Sequence, residues 1–409
     1  MPAERTTQTE EPDRRGSYCF VLPWSFMAKG GVNQVVENLM VDFAARGPLK
    51  PIALELQWDA SDSCDTVHAG AKRTYVRLRP TFVPGKGLRG ILGFVWEAPS
   101  TMRKLSRYAR ENNVAAFNYF FPCLAAMNFV LLKKLRMFDG DIILTFQGSD
   151  IRSAHQAKGR WLWKWMFRQV DSIVACSDGM REEALMLEPN ANVVTIHNAI
   201  DANRFLAGAQ KFDLPAELVG ARVIVNVAGF EFRKGHDVLL RAFQRVSSVY
   251  KDAMLLLVGK PGETSGAVRS LITELNLERR VVVIEDAPHT AIPTILAASE
   301  LFVMATRWRK TLMGEGFAVA ILEAGVAGVP VVSTASCGVA ELIEDGKTGR
   351  VTPVEDPDAL AAAICDVLAA PDEARRMASS LNAVIRERFT WKLAAERYLS
   401  LVRNKSGSQ

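Results

Sequence analysis

Gly314-Glu-Gly-Phe-Ala-Val-Ala-Ile-Leu-Glu-Ala-Gly-Val-Ala-Gly-Val-Pro-Val-Val-Ser-Thr334 is the stretch on which the reading of this chain turns. Two carboxylates, Glu315 and Glu323, have seven residues between them. Residues 316–328 lack proline and are rich in Ala, Val and Leu, which predicts a buried helix feeding the apolar strand at 329–332 of a parallel sheet. Glu315 then sits in the loop before the helix. Glu323 sits about two turns in, roughly 12 Å further at 1.5 Å per residue. Free backbone N–H groups and the positive dipole end at such a helix start suit a phosphate. A carboxylate on either side of a phosphate site fits an extended ligand with hydroxyls at both ends, and a nucleotide sugar is one.

Strand-to-helix units recur on both sides of this stretch. Residues 20–22, 51–56, 141–146, 172–176 and 193–196 read as strands. Gly30 and Gly31 precede residues 32–46, where Val35, Val36, Leu39, Met40 and Phe43 recur at helical spacing. A second series of strands covers 223–227, 254–258, 281–284, 301–304 and 329–332, with helices expected at 236–250, 267–275 and 293–299. Such alternation indicates α/β architecture with parallel sheets. The expected organisation is a polar, disordered tail over 1–17, a Rossmann-like domain over 18–203 and a second one over 204–385. Two facing domains with a cleft between them would bind a ligand at the C-terminal ends of their strands.

The glutamate pair and a series of landmarks in order resemble glycosyltransferase family 4, the retaining enzymes of GT-B fold. The landmarks include Gly30-Gly-Val-Asn-Gln34, Phe146-Gln-Gly-Ser-Asp-Ile151, Ile196-His-Asn-Ala-Ile-Asp201, Arg233-Lys-Gly-His-Asp237 and Glu341-Leu-Ile-Glu-Asp-Gly-Lys-Thr-Gly349. The resemblance runs from about Tyr18 to about Leu401. It implies that the first domain faces the acceptor and the second binds the donor. It also implies that a C-terminal helix, 386–404, crosses back onto the first domain.

Each site residue has a reading of its own beside the resemblance. Arg233 and Lys234, at a strand end, carry two cations suited to neutralising a departing diphosphate; the alternative is a solvated surface pair. Family members usually carry an arginine several residues earlier, where this chain reads Ala228-Gly229-Phe230, so Arg233 is the expected substitute. The run Arg307-Trp-Arg-Lys310 adds charge or forms a basic exposed loop. Gly30 and Gly31 permit close backbone approach to an anion, and by resemblance they approach the donor diphosphate. Gly316, Phe317 and Ala318 open the donor-binding helix; family members often have glycine where Ala318 stands. The resemblance gives Glu315 the transferred sugar and Glu323 the ribose hydroxyls. Asn198 contacts the donor or caps a turn. Gln147 stands where the family usually has histidine, and an amide takes no proton at neutral pH. That fits front-face retention, in which the donor phosphate assists the acceptor hydroxyl. Asp150 is a cap or an acceptor contact, the cap being favoured.

Composition bounds the rest. The chain has 409 residues, 49% hydrophobic and 23% charged, enough for two ordinary domains. No run is long enough to span a membrane and the N-terminus has no apolar signal core, which points to the cytoplasm. Six scattered cysteines read as free thiols. The five histidines show no metal-ligand spacing, so neither metal nor other cofactor is expected. Residues 72–110 hold ten Lys/Arg against one acid, interleaved with Phe82, Leu92, Phe94 and Trp96. This region reads equally as a solvated face and as a peripheral contact with an anionic membrane. The expected partners are a UDP- or GDP-linked sugar and a glycan, lipid-linked or small-molecule acceptor, with no nucleic acid. The rival functions are a GT-B nucleotide-sugar-binding protein with impaired catalysis, favoured by Gln147 and the missing arginine, and a nucleotide-sugar epimerase.

Overall fold

A computed structural model of the chain describes residues 16–26, 28, 30–56, 65–68, 71–76, 87–155, 159–307, 316–336 and 338–403. The first elements are β1 (Ser17–Leu22), α1 (Gly31–Arg46), β2 (Lys50–Leu56), β3 (Asp65–His68), β4 (Ala71–Val76), α2 (Gly87–Glu111), β5 (Val114–Phe120), α3 (Met127–Lys134), β6 (Asp141–Phe146), α4 (Ile151–His155), α5 (Arg160–Gln169), β7 (Ser172–Ala175), α6 (Asp178–Leu187), β8 (Val193–Thr195) and α7 (Ala202–Ala207). The second series is β9 (Arg222–Val227), α8 (His236–Val249), β10 (Ala253–Gly259), α9 (Ser265–Glu274), β11 (Val281–Glu285), α10 (Ile292–Ala297), β12 (Leu301–Met304), α11 (Val319–Val326), β13 (Val331–Thr334), β14 (Arg350–Thr352), α12 (Pro357–Ala369), α13 (Pro371–Arg388) and α14 (Trp391–Ser400). The strands form an eight-stranded sheet ordered β3-β4-β2-β1-β5-β6-β7-β8 and a six-stranded sheet ordered β11-β10-β9-β12-β13-β14. The registered pairs are parallel apart from β3 with β4. The architecture is that of two Rossmann-like sheets. Of the tail expected over 1–17, residues 1–15 lie outside the described residues, and Ser17 is the first residue of β1.

By packing, the chain divides into two compact units. The first comprises Met1–Thr145, Lys158–Ile173 and Ala395–Gln409. Its β1 is buried along its whole length, as a central parallel strand covered on both faces must be. Tyr18, Phe20, Phe43 and Phe120 form an aromatic core with neighbouring ring centroids 4.8–5.9 Å apart. One polar residue is admitted there with its needs met: Asn118 donates to Tyr18 Oη at 2.9 Å and accepts from Thr145 Oγ1 at 2.7 Å. The last described segment belongs to this unit. Tyr398 lies 5.8 Å from Phe120, and Arg403 donates to the buried Asp141 at 2.7 and 2.8 Å and pairs with Asp171.

The second unit comprises Phe146–Ala157 and Val174–Ala394. Its core lies between β9, β10 and α8, where Ile224, Leu255, Leu257, Leu239, Leu240 and Phe243 are fully or almost fully buried. Each large side chain so buried contributes about 1.5–3 kcal/mol. Asn382 of α13 donates to the carbonyls of Gly325 and Val326 at 2.8 and 3.0 Å, satisfying the C-terminal end of α11 and fixing that helix in place. Helix α11 starts at Val319, three residues later than the sequence predicts, because Gly316-Phe317-Ala318 runs as a loop. Glu323 is therefore the fifth helical residue, only about 6 Å from the helix start.

Candidate functional site

The turn from β9 into α8 holds the predicted cations. The chain leaves β9, makes a short 3-10 turn over Phe232–Lys234 and enters α8 through Gly235 at φ 66°. A Cβ on Gly235 would stand 2.0 Å from the carbonyl oxygen of Ala305, so both backbone angle and space require glycine here. Arg233 Nε lies 2.6 Å from Glu231 Oε2, which offsets part of its charge. Lys234 is half-buried at the end of the turn. Arg307 departs from both expectations for the 307–310 run. It is 7% exposed, pairs with Asp237 at 2.5 Å and Glu355 at 3.1 Å, and donates to the carbonyl of Phe232 at 2.8 Å. Its guanidinium lies 4.3 Å over the Phe232 ring. Two carboxylates neutralise it, and it braces the turn; residues 308–310 lie outside the described residues. Burial would raise the Asp237 carboxyl, but the Arg307 hydrogen bond and charge hold it below the usual carboxylate range. His236 stacks on Phe230, and burial, helped by the Lys234 charge, lowers its pKa to about 4, leaving a neutral ring at neutral pH.

A second group forms where the β6–α4 loop meets the segment before α11. Asp150 accepts backbone N–H bonds from Gln147 at 2.9 Å, Gly148 at 2.8 Å and Ile151 at 3.1 Å, which braces the loop that leads into α4. Burial pushes its carboxyl up to about 7 against the pull of those donors. Gln147 Oε1 accepts from Asn198 Nδ2 at 2.9 Å, while Gln147 Nε2 is buried with no partner among the described residues. Gly316 packs onto the same loop: a Cβ there would lie 2.6 Å from the Gln147 carbonyl oxygen, 2.7 Å from Met180 Sδ and 2.9 Å from Gly148 Cα. Gln147, Asn198 and Gly316 are thus brought together. Phe317 and Ala318 are buried. Phe317 joins His197 and Phe389, with ring centroids 5.3–5.7 Å apart.

Beyond the ring cluster, His197 Nε2 lies 2.5 Å from Glu341 Oε2, and Glu341 also accepts the Asp178 N–H at 2.9 and 3.0 Å. The ligand atoms of Asp178, His197 and Glu341 lie within 4.8 Å of one another. The sequence reading missed this group, because its members come from three distant segments with no local spacing to reveal them.

Glu323 projects from α11 with 7% exposure, and its Oε1 lies 2.7 Å from His289 Nε2. That hydrogen bond outweighs burial and raises the His289 pKa above its ordinary 6.5. Sequence reasoning passed over His289, since nothing local ties it to a residue 34 positions away. Glu315 lies outside the described residues. Gly30 and Gly31 belong to the other unit, at the start of α1. Gly30 is extended at φ −179°, and no described atom lies within 4 Å of a Cβ placed on either glycine.

The first unit also presents a distinctive surface. The second half of α2 buries Met102, Leu105, Tyr108 and Ala109, whereas Leu92, Val95 and Trp96 are exposed, Trp96 by 87%. At 100° per residue, Leu92, Trp96, Arg103, Arg107 and Arg110 fall within a stripe about 60° wide. All five are exposed. Lys72 and Arg73 do not join this face: Lys72 donates to Asn112 at 3.1 Å and the buried Arg73 lies 3.2 Å from Glu55. Residues 77–86 lie outside the described residues. Of the tryptophans in α5, Trp163 is core and Trp161 is 64% exposed. Among the described residues, no helix is long and apolar enough to cross a membrane.

Two Rossmann-like sheets of this kind are the architecture of the GT-B fold. The solved structure of sucrose-phosphate synthase from Thermosynechococcus elongatus matches with a TM-score of 0.73 at 20% identity, covering 94% of this chain and 98% of that one. The family profile "Glycosyltransferase Family 4" matches residues 29–204, and "Glycosyl transferases group 1" matches residues 212–381. The chain belongs to glycosyltransferase family 4. The phosphatidyl-myo-inositol mannosyltransferase of Mycobacterium tuberculosis is 25% identical over 397 residues, 95% of this chain and 97% of the relative. The GDP-mannose-dependent alpha-(1-6)-phosphatidylinositol monomannoside mannosyltransferase of Mycolicibacterium smegmatis is 29% identical over 218 residues, 52% of this chain and 57% of the relative.

Proposed function

We propose that this glycosyltransferase is a retaining, metal-independent enzyme that moves a hexosyl unit from a nucleotide-diphosphate sugar to a lipid-linked acceptor at an anionic membrane surface. The observation that carries the reading is the meeting of Gln147, Asn198 and Gly316, where the buried Gln147 amide N–H has no partner among the described residues. An unsatisfied buried donor is costly unless a ligand completes it, and a sugar hydroxyl would do so. In this reading Lys234 and Arg233 stabilise the departing diphosphate, which is how the site would dispense with a metal. Gly30 and Gly31 would offer backbone N–H groups to a donor phosphate. Glu315 takes the transferred sugar and Glu323 the ribose. Gln147 cannot take a proton, so the acceptor hydroxyl gives its proton to the leaving phosphate oxygen. The bond from C1 to that oxygen breaks as the bond from C1 to the acceptor oxygen forms on the same face. Asp150 serves the loop and not the acceptor, since three backbone N–H groups occupy it.

The inositol phospholipid and GDP-mannose in the relatives' names support a lipid acceptor and a GDP-linked donor, with UDP sugars as the competing set. The α2 stripe supports the membrane: Leu92 and Trp96 would enter the interface while Arg103, Arg107 and Arg110 meet anionic headgroups, each contributing about 1 kcal/mol. The test offers GDP-mannose and UDP-glucose with vesicles containing phosphatidylinositol, at low and high salt. The expected result is transfer with the donor's anomeric configuration kept, and co-sedimentation with anionic vesicles that fades as salt rises. Inverted product would overturn retention. Equal binding to neutral and anionic vesicles at low salt would return the stripe to solvent.

A further inference from the structure

His289 and Glu323 meet in the second unit. His289 is presented by a single 3-10 turn, His289–Ala291, after β11. That turn is anchored. The Gln210 N–H donates to the Thr290 carbonyl at 2.9 Å, Thr290 Oγ1 donates to Gln210 Oε1 at 2.9 Å, and Thr294 Oγ1 donates to the Gln210 carbonyl at 2.7 Å. The imidazole also lies 5.8 Å from the Phe205 ring. It is therefore a held side chain, half-exposed at 50%, over a carboxylate side chain that is 9% exposed. Its Nε2 N–H donates to Glu323 Oε1 at 2.7 Å. A carboxylate has about four acceptor directions on two oxygens, and among the described residues no second hydrogen bond reaches the Glu323 carboxylate.

We propose that His289 is a positioning residue that fixes the rotation of the Glu323 carboxylate so that Oε2 meets the two adjacent hydroxyls of a ribose, making the site selective for ribonucleotide over 2′-deoxyribonucleotide donors. The inference rests on the ribose assignment for Glu323 in the proposed function. Its physical basis is that a site built to pair a substrate hydroxyl rejects the analogue lacking it, because the buried acceptor is then left unpaired. That penalty needs an acceptor that cannot swing to another partner. Without His289, Glu323 is free to rotate and take water through the opening that the ring leaves, and the discrimination falls.

The experiment titrates the full chain calorimetrically with GDP, UDP and their 2′-deoxy counterparts, and uses whichever base binds more tightly. The wild type is expected to bind the ribonucleotide about tenfold more tightly than the deoxy form, a hydrogen bond's worth. In His289→Ala the ratio should fall below about threefold, mainly through weaker ribonucleotide binding. His289→Gln, whose amide N–H can reach the same oxygen, should keep the ratio near that of wild type. A melting curve for each variant confirms folding, and if His289→Ala does not fold, His289→Asn takes its place. An unchanged ratio in folded His289→Ala overturns the positioning role and leaves the function standing. Equal losses for both nucleotides, not restored by His289→Gln, reduce His289 to a structural contact and also overturn it. A wild type that binds no nucleoside diphosphate overturns the underlying function and this inference with it.

Discussion

Each unit has a glycine-marked turn from a strand into a helix, and the two use glycine for different reasons. At the β9–α8 turn Gly235 is left-handed and a Cβ would overlap the carbonyl of Ala305 at 2.0 Å. The fold itself demands that glycine. At the start of α1 Gly30 is extended, and no described atom would touch a side chain on Gly30 or Gly31. Nothing among the described residues requires those glycines, and the proposed function gives the space above them to the donor's phosphates. A glycine explained by its own packing reports on the fold, and one left unexplained points outward.

The largest effect expected at these turns is chemical. Lys234→Ala should lower turnover by roughly 10²–10³-fold, the scale of removing one stabiliser of developing charge, with little change in melting temperature. Steady-state kinetics beside a melting curve measure this, and equal kcat in variant and parent would break the assignment. Gly235→Ala should instead act on stability, costing at least about 2 kcal/mol for a left-handed, clashing site. Urea unfolding of the variant reads that loss directly.

Gly31→Ala sharpens the contrast by predicting the opposite pattern. Alanine at the first position of α1 should leave stability unchanged or raise it by up to about 0.5–1 kcal/mol, while affinity for a nucleoside diphosphate falls. Calorimetry and melting curves on the same sample distinguish the two turns. If Gly31→Ala costs stability as Gly235→Ala does, the comparison fails.

The last effect is a pH dependence at the β9–α8 turn. His236 has its pKa lowered from 6.5 to about 4 by burial. Below pH 6.5 the unfolded chain takes up a proton that the folded state refuses until about pH 4. Stability from this group is therefore full above pH 6.5 and declines as pH falls toward 4. His236→Phe, which keeps the ring on Phe230, should flatten that slope in melting curves taken across the window.

Much of the fold was legible because apolar strand runs alternate with helical spacing: β6 and β12 match their predicted bounds. The missed strands have physical causes. β5 carries Asn118 and Tyr119, and the Asn118 network that makes it central is tertiary. β14 is three residues long and gains strand character only by pairing with β13. The placement of Arg233, Lys234 and Gln147 just beyond strand ends could be read from the sequence. Partners could not. Arg307 reads as an exposed cation in sequence and is a buried brace in the fold, and the His289–Glu323 contact joins elements with no local signal between them.

The central claim is that the segment from Gly316 to Glu323 binds the ribose end of a nucleotide-sugar donor. The most direct measurement is calorimetric titration of wild type and Glu323→Ala with GDP and UDP. The account predicts that wild type binds one of them and that the folded variant loses about 1–3 kcal/mol of that affinity. Unchanged affinity in a folded Glu323→Ala, or no binding of either nucleotide by the wild type, would contradict it.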